Sequence, residues 1–297
     1  MRFAYAGTAP FAELVLAGLA EAGRAPVALV TNPDRPRGRH GTPQPPRIKG
    51  LADQLGVPVL QPERLSAPEA LEALLAFDPD VFVACAYGQI VAQNVLDAVE
   101  TIVVHPSLVP HWRGAAPVER ALMAGETELG VCTLQMTAGV DEGPVGDARS
   151  VSVPRDADAG EAYELLAPAA VAGVCATLDA IAGGVAAWRP QDGAVTYAEK
   201  IGPADKEIDW SRPAVRIADQ VRALSPHIGA VTELAGRRTR IWRARPGSGP
   251  MPEAGPERLV VATGEGWLEI IELQQEGRNR MTASEFLRGA GRSLLAP

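Results

Sequence analysis

The sequence predicts an α/β protein in two parts: a Rossmann-like, open, mostly parallel sheet, then a small β-barrel of the oligonucleotide-binding type. Three observations carry this. Short apolar β-branched runs alternate with helix-length segments through residues 2–183, the rhythm of βαβ units. Beyond a Pro- and Gly-punctuated connector the texture changes to short alternating strands separated by turn signals. The apolar run at 102–105 ends in a histidine followed at once by a Pro/Gly-studded loop, as when a buried parallel strand delivers a polar side chain to the carboxyl edge of its sheet.

In chain order, 2–6 reads as a strand, 11–22 as a helix, 26–31 as a strand and 48–55 as a helix. Residues 57–60 form a short strand, placed at an edge because Pro58 removes a ladder donor. A helix at 68–76, buried strands at 81–85 and 102–105, a helix at 117–124 and a strand at 131–136 follow. A turn around Asp141-Glu142-Gly143-Pro144 leads to a strand at 150–153, and a long apolar-striped helix at 159–183 closes the first part. Residues 184–206 are a connector broken by Pro190, Gly193 and Pro203. A helix at 214–223 and strands at 229–234, 239–244, 258–262 and 267–273 complete the second part. The expected domains are 1–189 and 206–297, joined by a linker at 190–205.

With 297 residues and 46% hydrophobic content, two ordinary cores are within reach. No apolar run is expected to reach the roughly 20 residues that span a bilayer. Met1 to Gly7 reads as a strand entering a turn rather than a signal peptide, so a cytoplasmic, membrane-free protein is expected. Cys85, Cys132 and Cys175 are scattered in apolar surroundings, so buried reduced thiols are expected, with neither disulfide nor metal site. The net charge of −8 excludes a generic nucleic-acid binder, but the charge is uneven. Residues 201–297 hold 14 Lys+Arg against 12 Asp+Glu, whereas the first 200 hold 14 against 24. Arg237, Arg238, Arg240, Arg243 and Arg245 bunch in the second part; on a strand Arg238 and Arg240 share a face, either a solvated surface or a patch that tracks phosphates.

After the first strand, A-G-T-A-P-F-A lacks the G-x-G-x-x-G spacing of a dinucleotide site, which disfavours a nicotinamide cofactor. The stretch from Thr101 to Pro117, T-I-V-V-H-P-S-L-V-P-H-W-R-G-A-A-P, resembles the signature of the folate-dependent formyltransferases, closest to the branch that formylates methionyl initiator tRNA. That resemblance implies the formyltransferase fold and 10-formyltetrahydrofolate as formyl donor. T-Y-A-E-K-I at 196–201, I-D-W at 208–210, R-A-L-S-P-H-I-G-A at 222–230 and R-M-T-A-S-E-F-L-R-G at 280–289 extend it nearly to the end of the chain. A short enzyme acting on glycinamide ribonucleotide would lack the second part.

Formyl transfer to an amine needs a group to manage the amine proton, a donor for the developing oxyanion and a carboxylate to orient the proton-handling group. His105 suits the first role because imidazole titrates nearest neutral pH. Asp141, in G-V-D-E-G-P, resembles the family aspartate and would orient His105; without the resemblance it reads as a turn residue. The family has asparagine two residues before its histidine, and here that position is Val103, on the same strand face as His105. Valine donates no hydrogen bond, so impaired catalysis is expected unless a backbone N–H in 107–110 or a displaced side chain substitutes.

By the same resemblance Ser107, Leu108, Val109 and Pro110 line the folate site, and the loop carrying Tyr87, Gly88, Gln89 and Ile90 cups the pterin. The loop carrying Arg35, Arg37 and Arg39 is similar to the family insertion that reaches the acceptor stem of tRNA, and Arg238 and Arg240 join it as tRNA contacts. Expected partners are methionyl initiator tRNA and the folate cosubstrate, with the chain a monomer. A sugar N-formyltransferase of the same superfamily and a folate- or tRNA-binding pseudoenzyme stand as alternatives.

Overall fold

The computed structural model describes residues 1–37, 41–253, 255 and 257–291. Their backbone packing forms two compact units: Met1–Gly114, Glu128–Val151 and Tyr163–Tyr197 in the first, Ala115–Thr127, Ser152–Ala162 and Ala198–Pro297 in the second. In chain order the elements are β1 (Phe3–Ala6), α1 (Pro10–Glu21), β2 (Leu29–Val30), β3 (Arg35–Arg37), β4 (Thr42–Gln44), α2 (Arg47–Leu55), β5 (Val59–Leu60) and α3 (Pro68–Leu75). Then come β6 (Val81–Cys85), α4 (Gln93–Leu96), β7 (Glu100–His105), β8 (Arg113–Gly114), α5 (Pro117–Ala124), β9 (Glu128–Gln135), β10 (Val145–Ser152) and α6 (Ala159–Ala182). The rest are β11 (Tyr197–Ala198), α7 (Ala214–Leu224), β12 (Ala230–Leu234), β13 (Arg237–Gly247), β14 (Leu259–Ala262), β15 (Trp267–Gln275), β16 (Met281–Thr282) and α8 (Ala283–Arg288).

The first unit is built on a seven-stranded sheet ordered β10-β9-β7-β6-β1-β2-β5. The pairs β5/β2, β2/β1, β1/β6 and β6/β7 are parallel and β7/β9 antiparallel. β1 and β6 are buried throughout, which explains their unbroken apolar sequences. Phe82, Leu65, Leu74, Val30 and Tyr87 share one core cluster. β5 lies at the edge, as Pro58 requires. Chain order reverses about β1, so the crevice at the carboxyl ends of β1 and β6 is a topological switch point. Gly7 lets α1 start close against that edge, because a Cβ there would collide with Ala12 and crowd the Cys85 carbonyl.

Three expectations are corrected. The basic loop after β2 contains the β3/β4 hairpin, in register Arg35↔Gln44 and Arg37↔Thr42; with Pro36 opposite Pro43 and no apolar face, it leaves no periodic signal. Cys85 and Cys132 are buried, and burial pushes their thiols up to about 12 and about 11, but Cys175 is only half-buried. Contrary to the expectation that no run approaches a bilayer span, α6 at 24 residues is long and apolar enough to cross one. Its apolarity has a partner in the core, though: Leu166, Ala170, Val174 and Leu178 are buried at helical spacing. Tyr163 packs on Phe11 of α1 with the rings tilted by 42° and their centroids 5.2 Å apart, and Thr177 bonds Thr133 of β9 at 2.6 Å.

In the second unit, β12-β13-β15-β14 form an antiparallel sheet, with β16 also on β15; the hydrogen-bonded path is open, a half-barrel. α7 lays Ile217, Val221 and Leu224 into a core with Ile241, Leu268, Ile270 and Phe286. Each such fully buried side chain stabilises by about 1.5–3 kcal/mol. α8 begins with a reciprocal cap: Thr282 accepts from the Glu285 N–H, and the Glu285 side chain accepts from the Thr282 N–H.

Candidate active site

β7 carries His105 to the carboxyl edge of the sheet, where its ring is 4% exposed. Nε2 lies 2.9 Å from the Trp112 carbonyl, a contact that requires the N–H on Nε2. Nδ1 faces Asp141 Oδ2 at 3.5 Å, beyond hydrogen-bonding length but within ion-pair range. Asp141 is held independently of the ring, since Oδ2 accepts the Gly114 N–H at 2.9 Å. The turn bearing it packs tightly on β9: a Cβ at Gly143 would run into the Gln135 carbonyl. The sequence expectation that His105 and Asp141 meet is thus matched by their geometry.

Val103, two residues back, pairs with Leu134 across β9 as His105 pairs with Cys132, so the four share a sheet face. Val103 packs with Leu108 and Val109 against Cys132, Leu134 and Val145. Neither polar group of Ser107 is idle: its N–H donates to the His105 carbonyl at 2.9 Å and its hydroxyl to the His111 carbonyl at 2.6 Å. Both donors of Ser107 are thus engaged within the loop.

Around the end of β6, the Tyr87 ring and the Gln89 side chain turn inward. Gln89 donates to Asn32 Oδ1 and the Pro62 carbonyl and accepts the Leu65 N–H, while Asn32 Nδ2 donates to the Tyr87 carbonyl. Gly88 sits at φ 83°, and Ile90 is 87% exposed. Gly88 and Gln89 share a cavity of about 380 Å³ with Thr8, Asn32 and Arg35. Arg35 also pairs with Glu63 at 3.2 Å. Arg39 lies outside the described residues, and Arg37 is placed by its backbone on β3. In the second unit Arg238 and Arg240 are exposed on one side of β13 while Thr239 points inward; Arg238 bonds Glu207 at 2.6 Å.

The sequence reading missed two contributors to the His105 neighbourhood. Gln191, assigned to the connector, donates to the carbonyls of Asp141 and Gly143. Thr196 accepts the Trp112 N–H at 2.8 Å; the T-Y-A-E-K resemblance marked its segment without a role.

Comparison with known proteins shows the family. Residues 1–178 match the family model described as formyl transferase, and 200–291 match the formyl transferase C-terminal domain. A methionyl-tRNA formyltransferase from Symbiobacterium thermophilum is 41% identical over 98% of this chain and 93% of its own length. One from Halorhodospira halophila is 42% identical over 97% of this chain and 96% of its own. The chain belongs to the methionyl-tRNA formyltransferase family. Among solved structures, the fold is similar to HypX from Aquifex aeolicus in complex with tetrahydrofolic acid, at TM-score 0.71 and 17% identity, over 98% of this chain and 47% of that one. It is also similar to a methionyl-tRNA formyltransferase from Clostridium thermocellum, at TM-score 0.60 and 14% identity, over 82% of this chain and 93% of that one.

Proposed function

We propose that this member of the family transfers the formyl group of 10-formyltetrahydrofolate to the free amino group of methionyl initiator tRNA, as a cytoplasmic monomer. The observation that carries the reading is the nearly full-length identity of about two residues in five to relatives of that name, centred on a His105–Asp141 pair at the sheet edge. In the transfer the acceptor nitrogen exchanges a proton for the formyl group, and the folate nitrogen gains a proton in its place.

The donor supplies the formyl carbon. Gly88 and Ile90 offer it backbone and an exposed apolar side chain, and Leu108 and Val109 an apolar wall, a combination that fits a planar heterocycle. The His105 proton sits on Nε2 against the Trp112 carbonyl. When an incoming amine replaces that carbonyl, the ring takes the tautomer with its N–H on Nδ1, toward Asp141, and Nε2 is free to accept the amine proton and pass it to the folate nitrogen. Asp141, anchored by Gly114, keeps negative charge beside Nδ1 and steadies the ring as it gains a proton. Val103 offers methyl groups where the family supplies an amide, and turnover is slow for that reason. Arg35, Arg37, Arg39, Arg238 and Arg240 contact tRNA phosphates.

The test is formylation of methionyl initiator tRNA with 10-formyltetrahydrofolate under single-turnover conditions. Formylmethionyl-tRNA from the natural chain or from Val103→Asn supports the reading. Silence in both, with an amino sugar accepted instead, overturns it.

A further inference from the structure

The turn carrying Asp141 is held by a side chain far away in sequence. Gln191 Nε2 donates to the Asp141 carbonyl at 2.8 Å and to the Gly143 carbonyl at 2.7 Å, while Oε1 accepts from Arg113 Nε and Nη2 at 3.0 and 2.7 Å. Guanidinium only donates and carbonyls only accept, so one amide orientation satisfies all four contacts. The clamped residue is also conformationally costly: Asp141 sits at φ 52°, in the left-handed region that a non-glycine residue avoids by about 1–2 kcal/mol. The circuit closes on itself, because Gly114, whose N–H anchors the Asp141 carboxylate, directly follows Arg113. Each link joins residues of the first unit.

We propose that Gln191 is a positioning residue: its amide fixes the Asp141 turn against the Arg113–Gly114 strand and so sets the reach of the carboxylate to His105. The inference rests on the proton-handling roles given above to His105 and Asp141. The turn is also tied by the Gln135 N–H to the Pro144 carbonyl at 3.0 Å and by Arg113 to Glu142 at 3.6 Å, but the Asp141 and Gly143 carbonyls are the ones that Gln191 holds.

The test reads the ring directly. The chain has four histidines, so the imidazole ¹⁵N signals of His105 are assignable by comparison with His105→Gln. Across roughly pH 5 to 8, Gln191→Ala is expected to displace those signals, and the pH at which they turn over, in the same direction as Asp141→Asn. The signals of His111 and His227 stay in place. kcat falls by about 10²-fold, the scale of an ångström-level misplacement, while KM for both substrates is retained. Gln191→Glu keeps the Arg113 partner but sets an oxygen against two carbonyl oxygens; it should lower the melting midpoint yet remain folded at about 25 °C, and show the same displacement. Unmoved His105 signals in either folded variant, with Asp141→Asn moving them, overturn the proposal. Displaced signals alongside full formylation by His105→Ala would instead overturn the role of His105 and leave the clamp standing.

Discussion

Each unit sets an aspartate beside a side chain able to carry positive charge, and the two arrangements differ in a way that separates chemistry from scaffolding. In the second unit, Asp219 and Arg222 are buried at 4% and 7% side-chain exposure and meet at 2.9 Å. Arg222 then donates to the Leu122 and Glu126 carbonyls at the end of α5, so the pair ties one helix end to another element. In the first unit, the His105–Asp141 pair is longer, at 3.5 Å, and both partners are positioned by backbone groups: the Trp112 carbonyl for the ring and the Gly114 N–H for the carboxylate. On the proposed reading, in which the ring gains a proton beside a carboxylate that stays charged, being held by third parties lets the geometry survive the change of charge. The bracing pair instead meets directly, and its arginine carries the bonds outward to the α5 carbonyls.

Substitutions sharpen that contrast. The largest effect is expected for His105→Ala, with formylation falling by about 10²–10⁴-fold and an unchanged urea midpoint; unchanged turnover would remove His105 from the chemistry. Arg222→Met should do the reverse, lowering stability by about 3–5 kcal/mol in urea unfolding, since it leaves Asp219 as a buried unpaired charge. If unfolding is indifferent to it, the brace is not structural. Val103→Asn is expected to raise kcat by about 10²–10³-fold, and an equal rate would mean that another donor serves the oxyanion.

The smallest effect concerns acid. Hydrogen bonding to Arg120 holds the Asp205 carboxyl below its ordinary 3.8. Because the folded value is depressed, the stability it contributes is present above pH 3.8 and is lost as pH falls through the folded value. Arg120→Ala should therefore shift the acid unfolding midpoint upward. No shift would show the pair to be screened, as a partly exposed pair can be.

The sheet was legible wherever burial imposed a pattern. The 81–85 run became β6 with the same limits, and 117–124 became α5, because a buried strand and a Pro-started helix each leave a compositional mark. His105 was legible because a polar residue closes an apolar run. Gln191 was not: a residue that works by bonding two distant carbonyls and a guanidinium has no periodicity and no neighbour to announce it. The β3/β4 hairpin was hidden for a related reason, being built on backbone pairing between exposed residues. Asp141 stood between these cases, a turn aspartate by spacing and a site residue only by family resemblance.

The apolar helix α6 also has a history in the order of synthesis. Its partners Phe11 on α1 and Thr133 on β9, together with Arg24, which bonds Asp179 at 2.7 Å, precede it in the chain. When the ribosome releases this long greasy segment, these partners have already been made, whereas Arg243, which pairs with Glu161 in its first turn, has not. Docking at that moment keeps from other hydrophobic phases a helix whose length and composition would suit one.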